Sequence, residues 1–133
     1  MTPNKEDYIK VIYKLGGAEN IVSNKNIAST LHVSGASTTE MMNKLVKSNM
    51  IEYIPYQGAK LTTGGIKVAK ELIRNHRIWE VFLVQALGFE KHEVHEQAEL
   101  LEHVSSDELI KRLSKFLNTP THCPHGSEIP TDI

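Results

Sequence analysis

Cysteine is nearly absent from this sequence, which has one cysteine, Cys123, among its 133 residues. A single cysteine excludes an intrachain disulfide framework. Long hydrophobic runs are missing as well, because the apolar stretches are short and interrupted by charged residues, and this argues against a membrane-spanning helix. The first ten residues lack the apolar core of a secretory signal peptide. These absences predict a cytoplasmic protein without a membrane partner.

Charge is distributed unevenly along the chain, although the net charge is only −1. Residues 1–75 contain ten Lys and Arg against six Asp and Glu, whereas residues 76–133 contain five against ten. A basic half suits a polyanionic partner, and an acidic half that contains histidines suits a cation. Such a division of charge can also arise by chance, so it serves only as support for more specific sequence patterns.

Metal-binding side chains are concentrated between residues 76 and 103. A helix turns by about 100° per residue. On that geometry four side chains of the segment 95–103 share one face: His95, Glu99, Glu102 and His103. His76 and Glu80 lie one turn apart on the preceding predicted helix. Imidazole nitrogens and carboxylate oxygens grouped in this way are ligands for a divalent cation. The alternative is a solvated acidic face with structural histidines, but two His/Glu groups in register favour a metal site.

The N-terminal half has the pattern of a helix-turn-helix motif. Hydrophobic periodicity predicts helices over residues 4–15, 23–31 and 37–48. The segment VSGAS supplies a tight turn, in which Ser34 or Ser37 can cap the third helix. Small polar residues at the start of that helix suit a DNA groove, and the later lysines suit phosphates. The predicted DNA-binding residues of this motif are Ser34, Ala36, Ser37, Thr38, Thr39, Glu40, Lys44 and Lys47. Any small helical bundle could share the pattern, which alone favours DNA only slightly.

A β-hairpin is predicted directly after the third helix. Residues 50–54 alternate like a strand, residues 55–58 have turn chemistry, and residues 59–61 begin a returning strand. A hairpin in this position is the wing of a winged helix, and its tip would offer Tyr56 and Lys60 to the phosphate backbone. With the wing added, the N-terminal half favours DNA binding over a simple bundle.

The remainder of the chain is predicted to be helical over residues 63–87, 91–103 and 106–117. In the last of these helices the residues predicted to point inward are Leu109, Leu113, Phe116 and Leu117. The apolar faces exceed the needs of one small bundle, which predicts a symmetric homodimer.

These elements predict a mainly α protein, with an N-terminal winged helix-turn-helix DNA-binding domain followed by an α-helical metal-binding and dimerisation domain. We expect the first domain to cover residues 1–63 and the second to cover residues 64–120. Residues 121–133 show no periodicity and are predicted to be a tail or linker.

The chain resembles the diphtheria-toxin-repressor family of metal-dependent transcriptional repressors, and more narrowly its manganese-transport-repressor branch. The resemblance covers nearly the whole chain. It is carried by the segments EDYIKVIY (6–13), NKNIASTLHVSGASTTEMMNKL (24–45), LTTGG (61–65), NHRIWEVFL (75–83), VHEQAELLEHVSSDELIKRL (94–113) and CPHGSEIP (123–130). It implies a homodimer that binds double-stranded operator DNA and represses metal-uptake genes when Mn²⁺ is bound.

The resemblance also implies two metal sites. Its primary site corresponds here to Asp7, His76, Glu99, Glu102 and His103. Its ancillary site corresponds to Glu80, His95, Cys123 and His125. Iron-sensing relatives have Met in place of Asp7 and Cys in place of Glu99, and the all-nitrogen and oxygen set suits Mn²⁺. Fe²⁺, Zn²⁺ and Cd²⁺ are alternative occupants in vitro.

Three features depart from the family pattern. Lys10 stands where some manganese sensors have a glutamate that helps to hold a second ion. Ala36 stands where a proline commonly begins the recognition helix. Longer members also continue past the segment 123–130 into a small β-barrel domain, which this sequence does not contain.

Three other functions are compatible with parts of the sequence. An iron-responsive regulator of the same family is one alternative, and a regulator with a merely structural metal is another. A metalloenzyme is a third, since residues 95–99 are similar to the H-E-x-x-H zinc motif, but Glu99 replaces the second histidine. No nucleophile–base pair or phosphate loop is evident elsewhere, so the protein is not expected to be an enzyme. His32, His92 and His122 are predicted to have no metal role.

Overall fold

The computed structural model describes residues 3–133, and within this range the protein is mainly α with one antiparallel hairpin. The elements in chain order are α1 (Pro3–Lys14), α2 (Asn24–Leu31), α3 (Gly35–Lys47), β1 (Ile51–Ile54), β2 (Gly58–Leu61), α4 (Thr63–Gln85), α5 (Val94–Glu102) and α6 (Asp107–Phe116). The predicted fold class, with a wing after the third helix, is confirmed. No helix within this range combines the length and the hydropathy needed to span a bilayer.

The chain divides into two compact units after Ala69. The division falls inside α4, at residue 69 rather than at the predicted residue 63. The first turns of α4 belong to the N-terminal unit because Ala69 is buried in its core and Ile66 and Val68 pack against that core. The part of α4 that carries His76 belongs to the C-terminal unit.

Serine caps define the helices of the N-terminal unit. The Ser23 hydroxyl accepts a hydrogen bond from the Asn26 amide at the start of α2, and Ser34 does the same for the Ser37 amide at the start of α3. Such a cap satisfies a backbone N–H that the helix itself cannot. Of the two caps considered for α3, Ser34 is therefore the one that is used. His32 ends α2 in the left-handed conformation, with a φ of 55°.

The wing is held against the segment that connects α1 and α2. The strands pair with Ile51 opposite Leu61 and Ile54 opposite Gly58. Val22 and Ala59 exchange backbone hydrogen bonds of 2.8 and 2.9 Å. Gly58 has a φ of +138°, and a Cβ there would lie 2.0 Å from the Val22 carbonyl oxygen. Glycine is thus required at the end of the turn, where the wing approaches this backbone closely.

One apolar core fills the N-terminal unit. Its buried members come from α1, α2, α3, the hairpin, the start of α4 and the segment before α2. They are Tyr8, Ile9, Ile12, Val22, Ile27, Met41, Met42, Leu45, Ile51, Ala59, Leu61 and Ala69. The two helices of the helix-turn-helix are therefore fixed in a small unit whose apolar interior includes residues from every one of its elements.

A smaller apolar core lies in the C-terminal unit and includes Ile78, Ile110 and Leu113. The expectation that Leu109 and Phe116 point inward was wrong, since their side chains are 43% and 69% exposed. Ile110 and Leu113 form the buried stripe of α6 at helical spacing. The other two residues lie on the flank of that stripe, where the pattern of apolar residues alone does not separate them from it.

Residues 118–133 form no helix, but they pack as part of the C-terminal unit. His122 and Glu128 form an isolated bridge, and Cys123 and Ile129 are buried. The Arg77 side chain donates to the Glu128 carbonyl. The segment predicted to be a tail or linker therefore holds Cys123 in a fixed position within this unit.

Candidate metal centre and nucleic-acid interface

His76 on α4 lies at the centre of a group of carboxylates. Its Nδ1 is 2.7 Å from Oε1 of Glu102 on α5, and its Nε2 is 3.4 Å from Oε2 of Glu80, one turn further along α4. Nδ1 also lies 3.9 Å from Oε1 of Glu99. His76, Glu80 and Glu102 are all buried. The His76 imidazole thus contacts carboxylates from two helices, Glu80 at the predicted spacing on α4 and Glu102 on α5.

The electrostatics of this group favour positive charge. Burial alone would lower the pKa of His76, but hydrogen bonds and negative charges from Glu102 and Glu80 outweigh it and raise the pKa above the usual 6.5. Burial would raise the pKa of Glu80, but its hydrogen bond to His76 and the nearby histidines lower the pKa below 4.5. A proton on His76 therefore compensates the buried carboxylates, and a divalent cation could take its place.

His95 extends the group on the exposed side. Its Nε2 is 3.3 Å from Oε1 of Glu99, one turn along α5, and its ring centroid is 4.9 Å from that of His76. Donor atoms of His76, Glu80 and His95 all lie within 4.8 Å of one another, and so do those of His76, Glu99 and Glu102. The structure therefore forms two overlapping donor sets that share His76.

A third donor set comes from the C-terminal segment. Donor atoms of Glu80, Cys123 and His125 also lie within 4.8 Å of one another, with Nδ1 of His125 3.3 Å from Oε2 of Glu80. Nε2 of His125 lies 2.6 Å from the carbonyl oxygen of Lys91. If Nε2–H donates to this carbonyl, Nδ1 keeps its lone pair for a metal, a common arrangement around ligand histidines. The thiol makes this set softer than the other two.

The contacts described above do not include two of the predicted ligands, Asp7 and His103. Asp7 is half-buried on α1, in the N-terminal unit, and His103 is half-buried directly after α5. Their assignment to the primary site stays a prediction. His32, His92 and His122 are exposed, and across residues 3–133 they belong to none of the metal-binding clusters.

The donor chemistry of these clusters fits a divalent cation. Imidazole nitrogens and carboxylate oxygens suit Mn²⁺, Fe²⁺ and Zn²⁺, and the thiol of Cys123 adds a ligand that suits Zn²⁺ or Cd²⁺. Buried carboxylates without a compensating positive charge would be costly. The clusters are thus suited chemically and electrostatically to hold a metal.

On α3, one of the predicted DNA-binding residues is misplaced. Thr38 is fully buried beside Met41 and Met42, and its hydroxyl donates to the Ser34 carbonyl at 3.0 Å. It shares the buried side because it lies one turn before these core residues, and its polar group is satisfied by the helix backbone. The prediction that Thr38 enters a groove was therefore wrong.

The other predicted residues of α3 are exposed, but several already make local contacts. The Thr39 hydroxyl donates to the Gly35 carbonyl at 3.1 Å. Lys44 Nζ lies 3.6 Å from Glu40 Oε1. The exposed residues of the predicted set are Ser34, Ala36, Ser37, Thr39, Glu40, Lys44 and Lys47. They leave one long side of α3 open to a partner.

The wing also presents the side chains expected of it. Tyr56 is fully exposed at the tip of the hairpin and has a φ of +66°. Lys60 on β2 is half-exposed. Their contact with phosphates stays a prediction.

Asn43 is a candidate contact residue that the sequence reasoning missed. It is exposed on α3, whereas Met42 directly before it and Leu45 two residues after it are buried. The same helical periodicity that identifies the apolar face could have identified Asn43 on the opposite one. The small polar residues that suggested groove contacts lie at the beginning of the helix, and Asn43 lies beyond them.

Comparisons with known proteins agree with both parts of the site. The model of the family "Iron dependent repressor, N-terminal DNA binding domain" matches residues 1–59. The model "Iron dependent repressor, metal binding and dimerisation domain" matches residues 62–131. Together these two matches include nearly every residue discussed above.

Individual relatives match over most of the chain. The HTH-type transcriptional regulator MntR of Oceanobacillus iheyensis is 33% identical over 117 residues, which are 88% of this chain and 79% of the relative. A solved structure of the manganese regulator SloR is 46% identical with a TM-score of 0.83, over 98% of this chain and 61% of that one. A structure of ScaR with bound Zn²⁺ is 46% identical with a TM-score of 0.84, over 97% and 60%. The chain thus spans about three fifths of these two solved relatives.

Proposed function

The chain belongs to the iron dependent repressor family, and from this premise we propose that it is a manganese-responsive repressor of metal-uptake genes that binds operator DNA as a homodimer. The resemblance inferred from the sequence is confirmed, since the relatives include diphtheria toxin repressors. The family models describe repressor domains and relatives such as MntR are transcriptional regulators, so the expectation that the protein is not an enzyme is also confirmed. The chain-specific metal, operator and assembly are what we propose.

The observation that carries the proposal is the buried contact of His76 with Glu102 and Glu80. We assign His76, Glu99 and Glu102 to the primary site, together with Asp7 and His103 by the family resemblance. All five offer nitrogen or oxygen donors. Carboxylates at Asp7 and Glu99, in place of sulfur, favour Mn²⁺ over softer ions by coordination preference rather than by raw affinity. When bound, the cation would supply the positive charge that the buried carboxylates require.

An ancillary site would use Glu80 with His95, or with Cys123 and His125. The Glu80 carboxylate belongs to both donor sets and contacts His76 of the first set and His125 of the second. The set with Cys123 is the better match for Zn²⁺ or Cd²⁺, and the relative ScaR has been solved with each of these ions bound. Occupation of this set would link the C-terminal segment to α4 through Glu80.

Regulation would follow from where the ligands stand in the sequence. Asp7 belongs to α1 of the DNA-binding unit, whereas the other proposed primary ligands belong to the C-terminal unit. A shared site would link the two units and favour one arrangement of the recognition helices. In a homodimer that arrangement must match half-sites about 34 Å apart, or a multiple of this distance. Metal binding would then shift the population toward the DNA-binding state.

Dimerisation is supported by apolar side chains that remain exposed in the C-terminal unit. Five large ones lie on α5 and α6 or shortly after α4 and α5: Leu87, Leu100, Val104, Leu109 and Phe116. Clusters of exposed apolar side chains commonly mark interaction surfaces. A twofold dimer would bury the same surface on both copies.

Fluorescence anisotropy tests the proposal directly. Labelled promoter DNA from a metal-uptake operon is titrated with the protein in Mn²⁺, Fe²⁺, Zn²⁺ or chelator. We expect Mn²⁺ to tighten binding by about 5- to 150-fold, the range typical of allosteric coupling. A response to Fe²⁺ in place of Mn²⁺ would identify the iron-responsive alternative. Equal binding in chelator and Mn²⁺ would contradict the proposal and indicate a structural metal or a different signal.

A further inference from the structure

The exposed side of α3 is defined by the side chains that it buries. Thr38, Met41, Met42 and Leu45 are all buried. At about 100° per residue, the opposite side of the helix is centred on Ala36, Asn43 and Lys47. All three are exposed. Asn43 is therefore near the middle of the face that α3 would present to DNA.

The amide of Asn43 is available, unlike most polar groups around it. Thr39 donates its hydroxyl proton to the Gly35 carbonyl, the Ser34 and Ser37 hydroxyls are 2.9 Å apart, and Glu40 is paired with Lys44. Throughout the described part of the chain, no hydrogen bond or ion pair involves the side chain of Asn43. Its oxygen can accept one hydrogen bond and its NH₂ group can donate.

This combination matches one base edge in the major groove. Adenine presents the N6 amino donor beside the N7 acceptor, and an asparagine amide can bond both at once. Guanine offers two acceptors there, thymine one acceptor and a methyl group, and cytosine one donor. The short Asn43 side chain also requires a close approach of α3. The small side chain of Ala36, which shares this face, leaves room for it.

We propose that Asn43 determines the sequence specificity of α3 by recognising one adenine in each half of the operator. The inference rests on the proposed function and adds to it the base class that the site selects. Lys47, on the same face, contacts the neighbouring phosphate and supplies affinity without base preference.

Binding-site selection from randomised duplex DNA in the presence of Mn²⁺ tests the assignment. The wild-type protein should select adenine at one position of each half-site. Asn43→Ala should lose discrimination at that position alone, by about 5- to 150-fold. Asn43→Asp should shift the preference there to cytosine, because a carboxylate accepts from the cytosine amino group but is repelled by adenine N7. The exposure of Asn43 means that both variants should fold, which circular dichroism verifies.

Lys47→Gln is the matched control on the same face. It should weaken binding to all sequences equally and reduce the dependence of affinity on salt, with the selected bases unchanged. If a selective wild-type protein and both Asn43 variants chose the same bases at every position, the Asn43 assignment would be overturned and the proposed function would stand. If the wild-type protein itself selected no sequence in Mn²⁺, both would be overturned.

Discussion

The interior of the N-terminal unit is mainly apolar, although Lys10 is buried there too, whereas the C-terminal unit encloses several charged side chains. Ile9, Ile12 and Met42 are fully buried in the first, and Glu80 and Glu102 are buried in the second. Apolar burial stabilises without regard to protons or ions, but buried carboxylates require a compensating charge. We therefore expect sensitivity to a cation to reside in the C-terminal unit. We expect the N-terminal unit to keep its shape whether or not a cation is bound.

The largest effect on stability should come from the core of the N-terminal unit. Met42→Ala removes a fully buried side chain and should lower the free energy of unfolding by about 2–5 kcal/mol. Urea denaturation with and without Mn²⁺ measures this, and the loss should be the same in both conditions. Val46→Ala on the exposed side of the same helix should change stability by less than about 0.5 kcal/mol. A loss that shrinks markedly in Mn²⁺ would show that the apolar core depends on the cation, and the contrast between the units would fail.

The next effect should be confined to the metal response. Glu102→Gln keeps the shape of a buried side chain that contacts His76, but it removes a charged ligand. Saturating Mn²⁺ at a hundred times its Kd should stabilise the wild-type protein by about 2.7 kcal/mol, and most of this gain should vanish in the variant. Thermal denaturation in chelator and in Mn²⁺ measures the gain.

Glu96→Gln is the matched control for Glu102→Gln, since Glu96 is an exposed carboxylate on the same helix, α5. It should retain the full stabilisation by Mn²⁺. Retention of the full response by Glu102→Gln as well would remove Glu102 from the site.

A smaller and ion-selective effect is expected at Cys123. Cys123→Ser should reduce affinity for Cd²⁺ and Zn²⁺ by at least about 10-fold, the lower end of losses caused even by supporting residues around a metal. Affinity for Mn²⁺ should change less, because Mn²⁺ gains little from a thiolate. Isothermal titration with each ion measures the difference, with Ser127→Ala in the same segment as control. Equal losses for all ions would mean that Cys123 acts through packing alone.

The smallest effect is a dependence of metal-free stability on pH. The raised pKa of His76 gives a contribution that is complete below its usual pKa of 6.5 and is lost as pH rises through the raised value. The lowered pKa of Glu80 gives one that is complete above 4.5 and is lost as pH falls through the lowered value. In chelator, the free energy of unfolding should therefore decline as pH rises above 6.5 and through the raised pKa of His76.

His76→Gln provides the comparison for this pH effect. The variant should lack the decline on the alkaline side, because no imidazolium remains to be lost. Urea denaturation across this pH range measures both proteins. A wild-type profile that is flat, or that rises with pH, would show that no proton on His76 compensates the carboxylates.

Much of the fold could be predicted because its signals are local. Helical periodicity and the serine caps located α2 and α3 to within about two residues, and alternation followed by turn residues located the hairpin. Local pattern could not decide which of two adjacent apolar residues, Leu109 or Ile110, faces the core. That choice depends on the position of the packing partner, which no short segment encodes. Thr38 was misjudged because residue type suggested a polar role, whereas its position in the helix dictated burial.

The candidate metal centre likewise combines contacts that could be predicted from the sequence with contacts that could not. Pairs four residues apart, such as His76 with Glu80 and His95 with Glu99, follow directly from helix geometry and do meet in the structure. The approach of His125 to Glu80 has no counterpart in any periodicity, because it is produced by the irregular C-terminal segment. Only the family resemblance suggested it. Sequence spacing thus predicts contacts within one helix, and tertiary structure supplies the rest.

The proposed regulation requires that a cation bound in the C-terminal unit be coupled to DNA binding by the N-terminal unit. Coupling between two ligands is reciprocal, so operator DNA must tighten metal binding by the same factor by which the metal tightens DNA binding. Mn²⁺ affinity measured by electron paramagnetic resonance, with and without saturating operator, tests this most directly. We expect operator DNA to raise Mn²⁺ affinity by about 5- to 150-fold, a factor equal to the gain in DNA affinity. An Mn²⁺ affinity that operator DNA leaves unchanged would contradict it.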